Sequence, residues 1–246
     1  MVGRSVFAAL LGVTISASAQ EPSVSRLADY YGFLPVEVFK LSQRSTNLLS
    51  GDVNHDGRID LILVDNIHHR IYLLIQRDGP VEVAARTNGD ARDVNRIEDH
   101  WRFEHRKLPV DHEVVSLTTG DFNHDGRIDL AYFGSPDQLV ILFQSDSGEW
   151  TEKQKLRVPD VAAAQWCLAA GDLNEDGRTD LVILGKSDTL ILLQPDQGEF
   201  SAPIKLLNTS DQLGLVQVAD LNADGRDDLC YLAGDALNRS LGGRLQ

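Results

Sequence analysis

The residues best suited to chemistry in this chain form a nine-residue motif, Asp-x-Asn-x-Asp-Gly-Arg-x-Asp, that occurs four times. The copies begin at Asp52, Asp121, Asp172 and Asp220. Asp, Asn and Asp at alternate positions, followed by Gly and a further Asp, supply the hard oxygen ligands that calcium prefers. Four copies in one chain make a chance match implausible and indicate a repeat protein.

Five positions of each motif are predicted to hold the metal. A loop that curls round an ion can point positions 1, 3 and 5 inward, while the Gly at position 6 allows the sharp turn. Position 7 offers its main-chain carbonyl, so its Arg side chain is expected to point away, and the Asp at position 9 closes the shell. Because every donor is an oxygen and the ring is large, the motifs favour Ca²⁺, up to four ions, over zinc, copper or magnesium. The predicted ligands are Asp52, Asn54, Asp56, Arg58, Asp60, Asp121, Asn123, Asp125, Arg127, Asp129, Asp172, Asn174, Asp176, Arg178, Asp180, Asp220, Asn222, Asp224, Arg226 and Asp228.

An EF-hand loop begins in the same way and is the main structural alternative. Such a loop needs an acid at position 12 and a helix after it. Position 12 is here Leu63, Tyr132, Ile183 or Tyr231, and apolar runs of strand length follow. The sequence therefore argues against an EF-hand.

The composition indicates a globular protein whose acidity belongs partly to the motifs. The chain has 246 residues, 42 % of them hydrophobic, which is enough for a sizeable core. The formal net charge is −14, and the ligand positions of each copy hold three of the 37 acidic residues, so four bound Ca²⁺ ions would change the net charge to −6. No cluster of Lys and Arg resembles a phosphate-binding surface, so nucleic acid is not an expected partner.

Short apolar runs around the motifs predict the fold class. Runs of four to six residues precede and follow each motif, and a third and a weaker fourth run come after them. These are strand lengths rather than helix lengths. Repeats are predicted over about 46–110, 113–159, 164–208 and 213–246, each with the motif between its first two strands. Small four-stranded sheets, repeated and covered on both faces, predict an all-β fold, a β-propeller of four-stranded blades.

The ends of the chain leave the size of the ring open. The segment 33–42 aligns with the outermost strand of a repeat, and the last repeat lacks its fourth strand, so an exchanged strand could close a four-bladed ring. The chain could equally be the first part of a longer propeller. A polar insertion at about 80–100 interrupts the first repeat and is expected to be an exposed contact loop.

The repeats resemble FG-GAP/VCBS repeats, which build integrin α-subunit-like β-propellers. The resemblance runs from about residue 33 to the C-terminus and is carried by the stretch Gly51–Leu61 and its later copies. It implies calcium in the loop between the first two strands of a blade, a ring that is commonly seven-bladed, and extracellular recognition or scaffolding more often than catalysis. The fourth copy departs from the pattern, with Ala219 in place of the leading Gly and an additional acid, Asp227, that is expected to decorate the surface.

The first 19 residues read as a signal peptide. Arg4 precedes a short apolar run, Val6–Ile15, and Ala17-Ser18-Ala19 offers a cleavage site. Residues 20–246 would then form a secreted or periplasmic protein. The apolar run is too short to span a bilayer comfortably, and no other segment resembles a membrane span.

The remaining reactive residues form no recognisable constellation. Cys167 and Cys230 could pair in an exported protein, but two buried free thiols suit a fold with this much core. The seven His residues show no zinc spacing. The chain also lacks a nucleophile-elbow Ser and a Gly-rich phosphate loop.

The leading hypothesis is an exported, calcium-binding β-propeller that binds an extracellular protein or glycan, or acts as a scaffold, without catalytic residues of its own. One alternative is a polysaccharide lyase or hydrolase built on a calcium-stabilised propeller, which would need acids, His or Lys beyond the motif to converge in a cleft. The other is a truncated fragment of a longer propeller protein.

Overall fold

A computed structural model describes residues 39, 41–79, 101–208, 210, 213–233 and 236–240. The predicted signal peptide at 1–19, most of the predicted outer strand at 33–42 and the polar insertion at 80–100 lie outside the described residues. In the described part of the chain there is no helix, and so none that is long and apolar enough to cross a membrane. The strands there are β1 (Thr46–Gly51), β2 (Asp60–Asp65), β3 (Arg70–Gln76), β4 (Phe103–Pro109), β5 (Val114–Gly120), β6 (Asp129–Gly134), β7 (Gln138–Gln144), β8 (Trp150–Arg157), β9 (Leu168–Gly171), β10 (Asp180–Leu184), β11 (Asp188–Leu192), β12 (Ile204–Leu207), β13 (Leu213–Ala219), β14 (Asp228–Ala233) and β15 (Ala236–Ser240).

The strands assemble into antiparallel sheets that follow the order of the sequence. β1–β4, β5–β8 and β9–β12 each form a four-stranded sheet, and β13–β15 form a sheet with three described strands. The first strands of consecutive sheets contact one another, β1 with β5, β5 with β9, and β9 with β13. Sheets that meander outward from neighbouring first strands are the blades of a β-propeller. The predicted all-β fold of four-stranded blades is therefore confirmed.

The second strands of the first three blades, β2, β6 and β10, lie deep in the core because an unbroken apolar run follows the leading Asp in each. In β6, Leu130 and Tyr132 pack toward the first blade, whereas Ala131 and Phe133 pack toward the third. A strand that is covered on both faces reads as a continuous apolar run rather than an alternating one. Each large side chain buried in this way contributes about 1.5–3 kcal/mol, so the stacked middle strands are a major source of stability.

Amide side chains, half-buried at Asn66 and buried at Gln154, join neighbouring blades. Asn66, in the turn after β2, donates to the carbonyl of Val114 and accepts from its N–H, both at 2.8 Å. Gln154 of β8 makes the same pair of bonds with Phe200, at 2.8 and 3.0 Å. An unpaired buried polar group costs about 1–3 kcal/mol. These amides therefore fix how one blade is aligned against the next.

The residue at motif position 8 packs onto the blade before it. A Cβ added at Gly51 would lie 3.3 Å from Cδ1 of Ile128, and one added at Gly120 would lie 2.7 Å from Cγ2 of Thr179. The close approach of the next blade therefore leaves no room for a side chain at Gly120, whereas at Gly51 a methyl group would make only a tight contact.

Asp227 occupies position 8 in the fourth blade, and its expected role as surface decoration is wrong. Its carboxylate accepts a hydrogen bond from the N–H of Asp172 at 2.9 Å. Beside it, Nε of Arg226 lies 3.4 Å from Oε1 of Glu175. Asp227 therefore accepts a hydrogen bond from the backbone at the start of the third motif, and it links the third and fourth motifs.

Both cysteines are free and buried, which confirms the expectation of two unpaired thiols for Cys167 and Cys230. Burial raises the pKa of Cys167. This thiol therefore stays protonated and serves as a small apolar side chain.

Replacing Gly171 by Ala should weaken the contact between the third and fourth blades. The new methyl group would lie 2.6 Å from Oδ2 of Asp227 and nearer still to Val218. Overpacking of this kind costs about 1–3 kcal/mol. The measurement is the free energy of unfolding from a urea titration.

Gly214→Ala is the matched control, because a Cβ there meets nothing within 4 Å. Its stability should change by less than about 0.5 kcal/mol. If Gly171→Ala proved as stable as Gly214→Ala, the described packing between these blades would be incorrect.

Candidate metal centres

The four motifs occupy the loops between the first and second strands of the four blades. Each loop turns through two residues in the left-handed region. The residue at position 4 has φ of 58° at His55 and His124, 62° at Glu175 and 60° at Ala223, and the Gly at position 6 has φ between 79° and 86°. The sequence indicated the Gly turn, whereas the left-handed residue two positions earlier had no clear signal.

The aspartate at position 1 closes the turn through two backbone hydrogen bonds. Oδ1 of Asp52 accepts from the N–H of Asp56 at 3.0 Å, and Oδ2 accepts from the N–H of Gly57 at 2.8 Å. The same two bonds recur in the other three copies. Because all partners lie within six residues, the motif itself encodes the shape of the loop.

The carboxylate at position 5 is engaged by positions 3 and 7. Oδ2 of Asp56 accepts from Nδ2 of Asn54 at 2.7 Å and from Nη2 of Arg58 at 2.7 Å, while Oδ1 accepts from the N–H of Arg58 at 2.9 Å. Burial acts to raise the pKa of Asp56, but the hydrogen bonds from Asn54 and Arg58 outweigh it and hold the pKa below its ordinary value. Asp56 is thus an ionised acceptor.

In the first three copies the arginine at position 7 does not point away from the loop, so that expectation is wrong for them; Arg226 in the fourth copy does leave its own loop, toward Glu175. Nε of Arg58 donates to the carbonyl of Gln76 at 3.2 Å, and Nη1 lies 3.2 Å from Oδ1 of Asp78. A guanidinium presents several donors in one plane, so the same side chain can hold Asp56 and the end of β3 together. The second and third copies repeat this arrangement.

The aspartate at position 9 is buried between the loop and the blade. The four side chains at this position are between 0 % and 2 % exposed. In the first copy, Oδ2 of Asp60 accepts from the N–H of Val53 at 3.0 Å, and Oδ1 accepts from the N–H of Gln76 at 2.7 Å. The second and third copies repeat both bonds, and the fourth repeats the first of them.

Burial raises the pKa of these position-9 carboxyls. The pKa of Asp129 and that of Asp180 rise to about 6, and the pKa of Asp60 is also raised. Burial is the largest cause of this rise, and the negative charges at positions 5 and 1 of the same loop add to it. Hydrogen bonds from two backbone N–H groups lower the pKa but do not offset the rise. The acids of one loop therefore repel one another, and a bound cation would relieve that repulsion.

The donor set of each loop fits a hard divalent cation. Asp, Asn, Asp and Asp would supply side-chain oxygens and position 7 a carbonyl, which are the kind of ligand that Ca²⁺ takes. Within the described ranges, however, no three His, Cys, Asp or Glu side chains converge as a ready-made cluster. The oxygens instead accept N–H and guanidinium bonds, so a cation would have to replace some of these bonds.

A polar pair that the sequence did not indicate closes the turn between β2 and β3. Nδ1 of His68 lies 2.7 Å from Oδ2 of the fully buried Asp65. Burial acts to raise the pKa of Asp65, but hydrogen bonds from His68 and Ser42 lower it overall. The pair stabilises the turn, and the only sequence signal was an Asp three residues before a His.

Comparison with known proteins identifies the repeats. A family model described as an FG-GAP-like repeat matches the chain twice, over residues 121–183 and 172–231. These segments contain the second, third and fourth motifs. No curated protein matches the chain.

Among solved structures, the chain is similar to a lectin of Agrocybe aegerita that is described as specifically recognising non-reducing terminal N-acetylglucosamine. The TM-score is 0.51 and the sequence identity is 17 %; the match covers 80 % of this chain and 48 % of the lectin chain. The chain therefore spans about half the length of that lectin, and at this identity the likeness shows a common fold. The two family matches and the recurring loop identify residues 121–231 as FG-GAP-like repeats.

Proposed function

We propose that the protein is an exported, calcium-binding β-propeller that acts outside the cytosol as a glycan- or protein-binding module. The observation that carries this proposal is the fourfold recurrence of one oxygen-rich loop in a chain with FG-GAP-like repeats. Export is supported by the signal-peptide pattern of residues 1–19. Extracellular calcium modules bind the ion with dissociation constants of about 10⁻⁴–10⁻³ M. Calcium reaches such concentrations outside the cell, so an exported protein would have its sites filled.

The proposed role of calcium is structural. Asp60 has no exposed surface, and the charges of Asp52 and Asp56 act on it. A cation held by the carboxylates at positions 1, 5 and 9, the amide oxygen at position 3 and the carbonyl at position 7 would neutralise this repulsion. An ion that binds only the folded chain stabilises it by about 2.7 kcal/mol per site at a hundredfold excess over Kd.

The binding role is supported by the fold and by the lectin similarity. A propeller presents several loops and blade junctions on a rigid scaffold, which suits recognition. The lectin with the same fold recognises a terminal sugar, so a glycan is the partner class that the comparisons favour. An extracellular protein is the other class that this proposal covers.

Calcium should raise the thermal stability of the protein strongly. With four sites at about 2.7 kcal/mol each and a response of about 2–4 °C per kcal/mol for a chain of this size, the midpoint in millimolar Ca²⁺ should exceed that in chelator by more than about 10 °C. Differential scanning calorimetry measures this difference. Equal midpoints in calcium and chelator would contradict structural calcium.

The double variant Asp172→Asn and Asp176→Asn should remove part of the calcium-dependent rise, because the third loop loses two carboxylate ligands. Asp137→Asn is the matched control, since it removes an exposed acid from the turn between β6 and β7. Its calcium response should equal that of the parent. Isothermal titration should show one site fewer for the double variant alone.

Without calcium, the protein should become more stable as the pH falls from 8 to 5. The pKa of Asp129 and Asp180 is about 6 in the folded state, against an ordinary value of 3.8, so the folded state binds these protons more tightly. Their contribution is therefore fully present below about pH 3.8, and it is lost as the pH rises through 6. The expected gain is on the order of 1–3 kcal/mol per carboxyl.

Urea midpoints measured in chelator between pH 8 and pH 5 test this. In calcium the slope should reverse, because protonation competes with metal binding. Asp129→Asn and Asp180→Asn should flatten the rise in chelator. A chelated protein that loses stability steadily from pH 8 to pH 5 would show that these carboxyls are not the dominant titrating groups.

Binding itself can be tested on an array of glycans that end in neutral or acidic sugars, probed with the labelled protein in calcium and in chelator. We expect calcium-dependent retention on at least one glycan class. Mass spectrometry of the bound glycans should find them intact. Cleaved glycans would favour a lyase or hydrolase, and retention of no glycan would remove the glycan class from the proposal.

A further inference from the structure

A cavity of about 380 Å³ lies between the first and second blades, beside the first motif loop. Its walls include Val53 and His55 from the loop, Arg106 from β4, Trp150 from β8, and the turn 145–148 between β7 and β8. Its volume falls within the range of small-molecule sites, about 300–1,000 Å³.

At the next junction, between the second and third blades, aromatic side chains fill the positions that correspond to Val53 and Trp150, although a separate cavity of about 580 Å³ lies on the other side of Phe200. Phe122 stands there at motif position 2 instead of Val53, and Phe200 stands two residues after the turn glycine instead of Trp150. The two Phe rings meet edge-on with their centroids 6.3 Å apart, and each is at most 4 % exposed. The same fold thus fills this space with aromatic side chains in one junction and leaves it open in the other.

A third substitution separates the two junctions. Arg106 of β4 lies opposite the middle of β3. Gln154 occupies the equivalent position of β8, opposite the middle of β7. Gln154 is buried and bonds to both backbone groups of Phe200. Arg106 instead has a half-exposed side chain and bonds to Glu104 at 2.9 Å. The amide that ties the second and third blades together is therefore replaced, at the open junction, by a cation at the edge of the cavity.

The cavity combines an aromatic wall with polar groups on a fixed frame. Trp150 is partly buried against the core of the first two blades. Gln144 donates to the carbonyl of Val53 at 2.7 Å and fixes the loop against β7. At the rim, Nη1 of Arg127 lies 2.6 Å from Oδ1 of the exposed Asp146 carboxylate. The site therefore exists in the folded chain before any ligand binds.

We propose that this cavity binds the terminal sugar ring of a glycan, an inference that rests on the glycan-binding function proposed above. The C–H face of a sugar ring suits the apolar surface of Trp150, and its hydroxyls suit the donors of Arg106, the carboxylate of Asp146 and the hydroxyl of Ser147. The cations at the rim are paired with carboxylates, so the cavity offers hydrogen bonds without an excess of positive charge. A neutral ring fits this chemistry better than a phosphate.

The test uses the full protein in calcium buffer, titrated calorimetrically with the methyl glycosides of N-acetylglucosamine, glucose, galactose and glucuronic acid. The glycoside that binds the parent most tightly is then titrated into three variants that reproduce the closed junction, Val53→Phe, Trp150→Phe and Arg106→Gln. We expect Val53→Phe and Trp150→Phe to weaken binding at least tenfold. Arg106→Gln should weaken it less, because it removes only the guanidinium donors.

Lys107→Gln is the matched control. It removes the same charge from the neighbouring exposed position of β4, which does not line the cavity, and its affinity should equal that of the parent. The calcium-dependent melting midpoint of every variant shows whether it folds. Trp150→Phe introduces the residue that the next blade carries at this position, so it provides the test even if Val53→Phe fails to fold.

The outcomes distinguish a failure of the cavity proposal from a failure of the proposed glycan-binding function. Parental affinity in folded Val53→Phe and Trp150→Phe would overturn the cavity as the site and leave glycan binding by another surface. If no glycoside binds the parent and no glycan is retained on the array, both the cavity and the glycan-binding function fall. Loss of binding in Lys107→Gln equal to that in Trp150→Phe would also overturn the assignment.

Discussion

Each blade depends on one buried carboxylate, the aspartate at motif position 9. Asp60 accepts N–H bonds from the start of its loop and from the end of β3, so it joins two segments that are otherwise separate in the blade. Removing a carboxylate from water costs several kcal/mol unless its charge is compensated. The raised pKa of Asp129 and Asp180 is the sign of incomplete compensation. Loop geometry and the proposed calcium chemistry therefore follow from the same physical constraint.

The motif serves the ring as well as the loop. Its odd positions supply the oxygens and the carbonyl of the loop, whereas positions 2 and 8 contact neighbouring blades. Phe122 at position 2 packs on Phe200 of the following blade, and Ile128 at position 8 packs on Gly51 of the preceding blade. Loop formation and blade packing are coupled through residues that are adjacent in sequence, so a change in the loop is transmitted to the interface between blades.

A repeat fold can carry a binding site at one junction because the other junctions maintain the packing. The first two blades retain their amide contacts, through Asn66 and Gln144, although Val53 and Trp150 leave a cavity between them. Since each blade contacts mainly its neighbours, the consequences of such a change stay local. At the junction between the second and third blades, Phe122 and Phe200 fill the corresponding space in edge-to-face contact.

The sequence by itself determined the blades, the position of the loops and their oxygen-rich side chains, because those features depend on contacts within a few residues or on continuous apolar runs. The bond from Gly57 to Asp52 spans five residues and recurs in every copy. Only the tertiary structure decided the return of Arg58 to its own loop, the role of Asp227 and the cavity beside Trp150. Asp227 and the cavity depend on partners far apart in the chain, such as Gln144 and Val53, which are 91 residues apart. The orientation of Arg58 depends in addition on the end of β3, where its Nε donates to the carbonyl of Gln76. A repeat pattern specifies which residue occurs at each position, but packing between blades decides which side chain it meets.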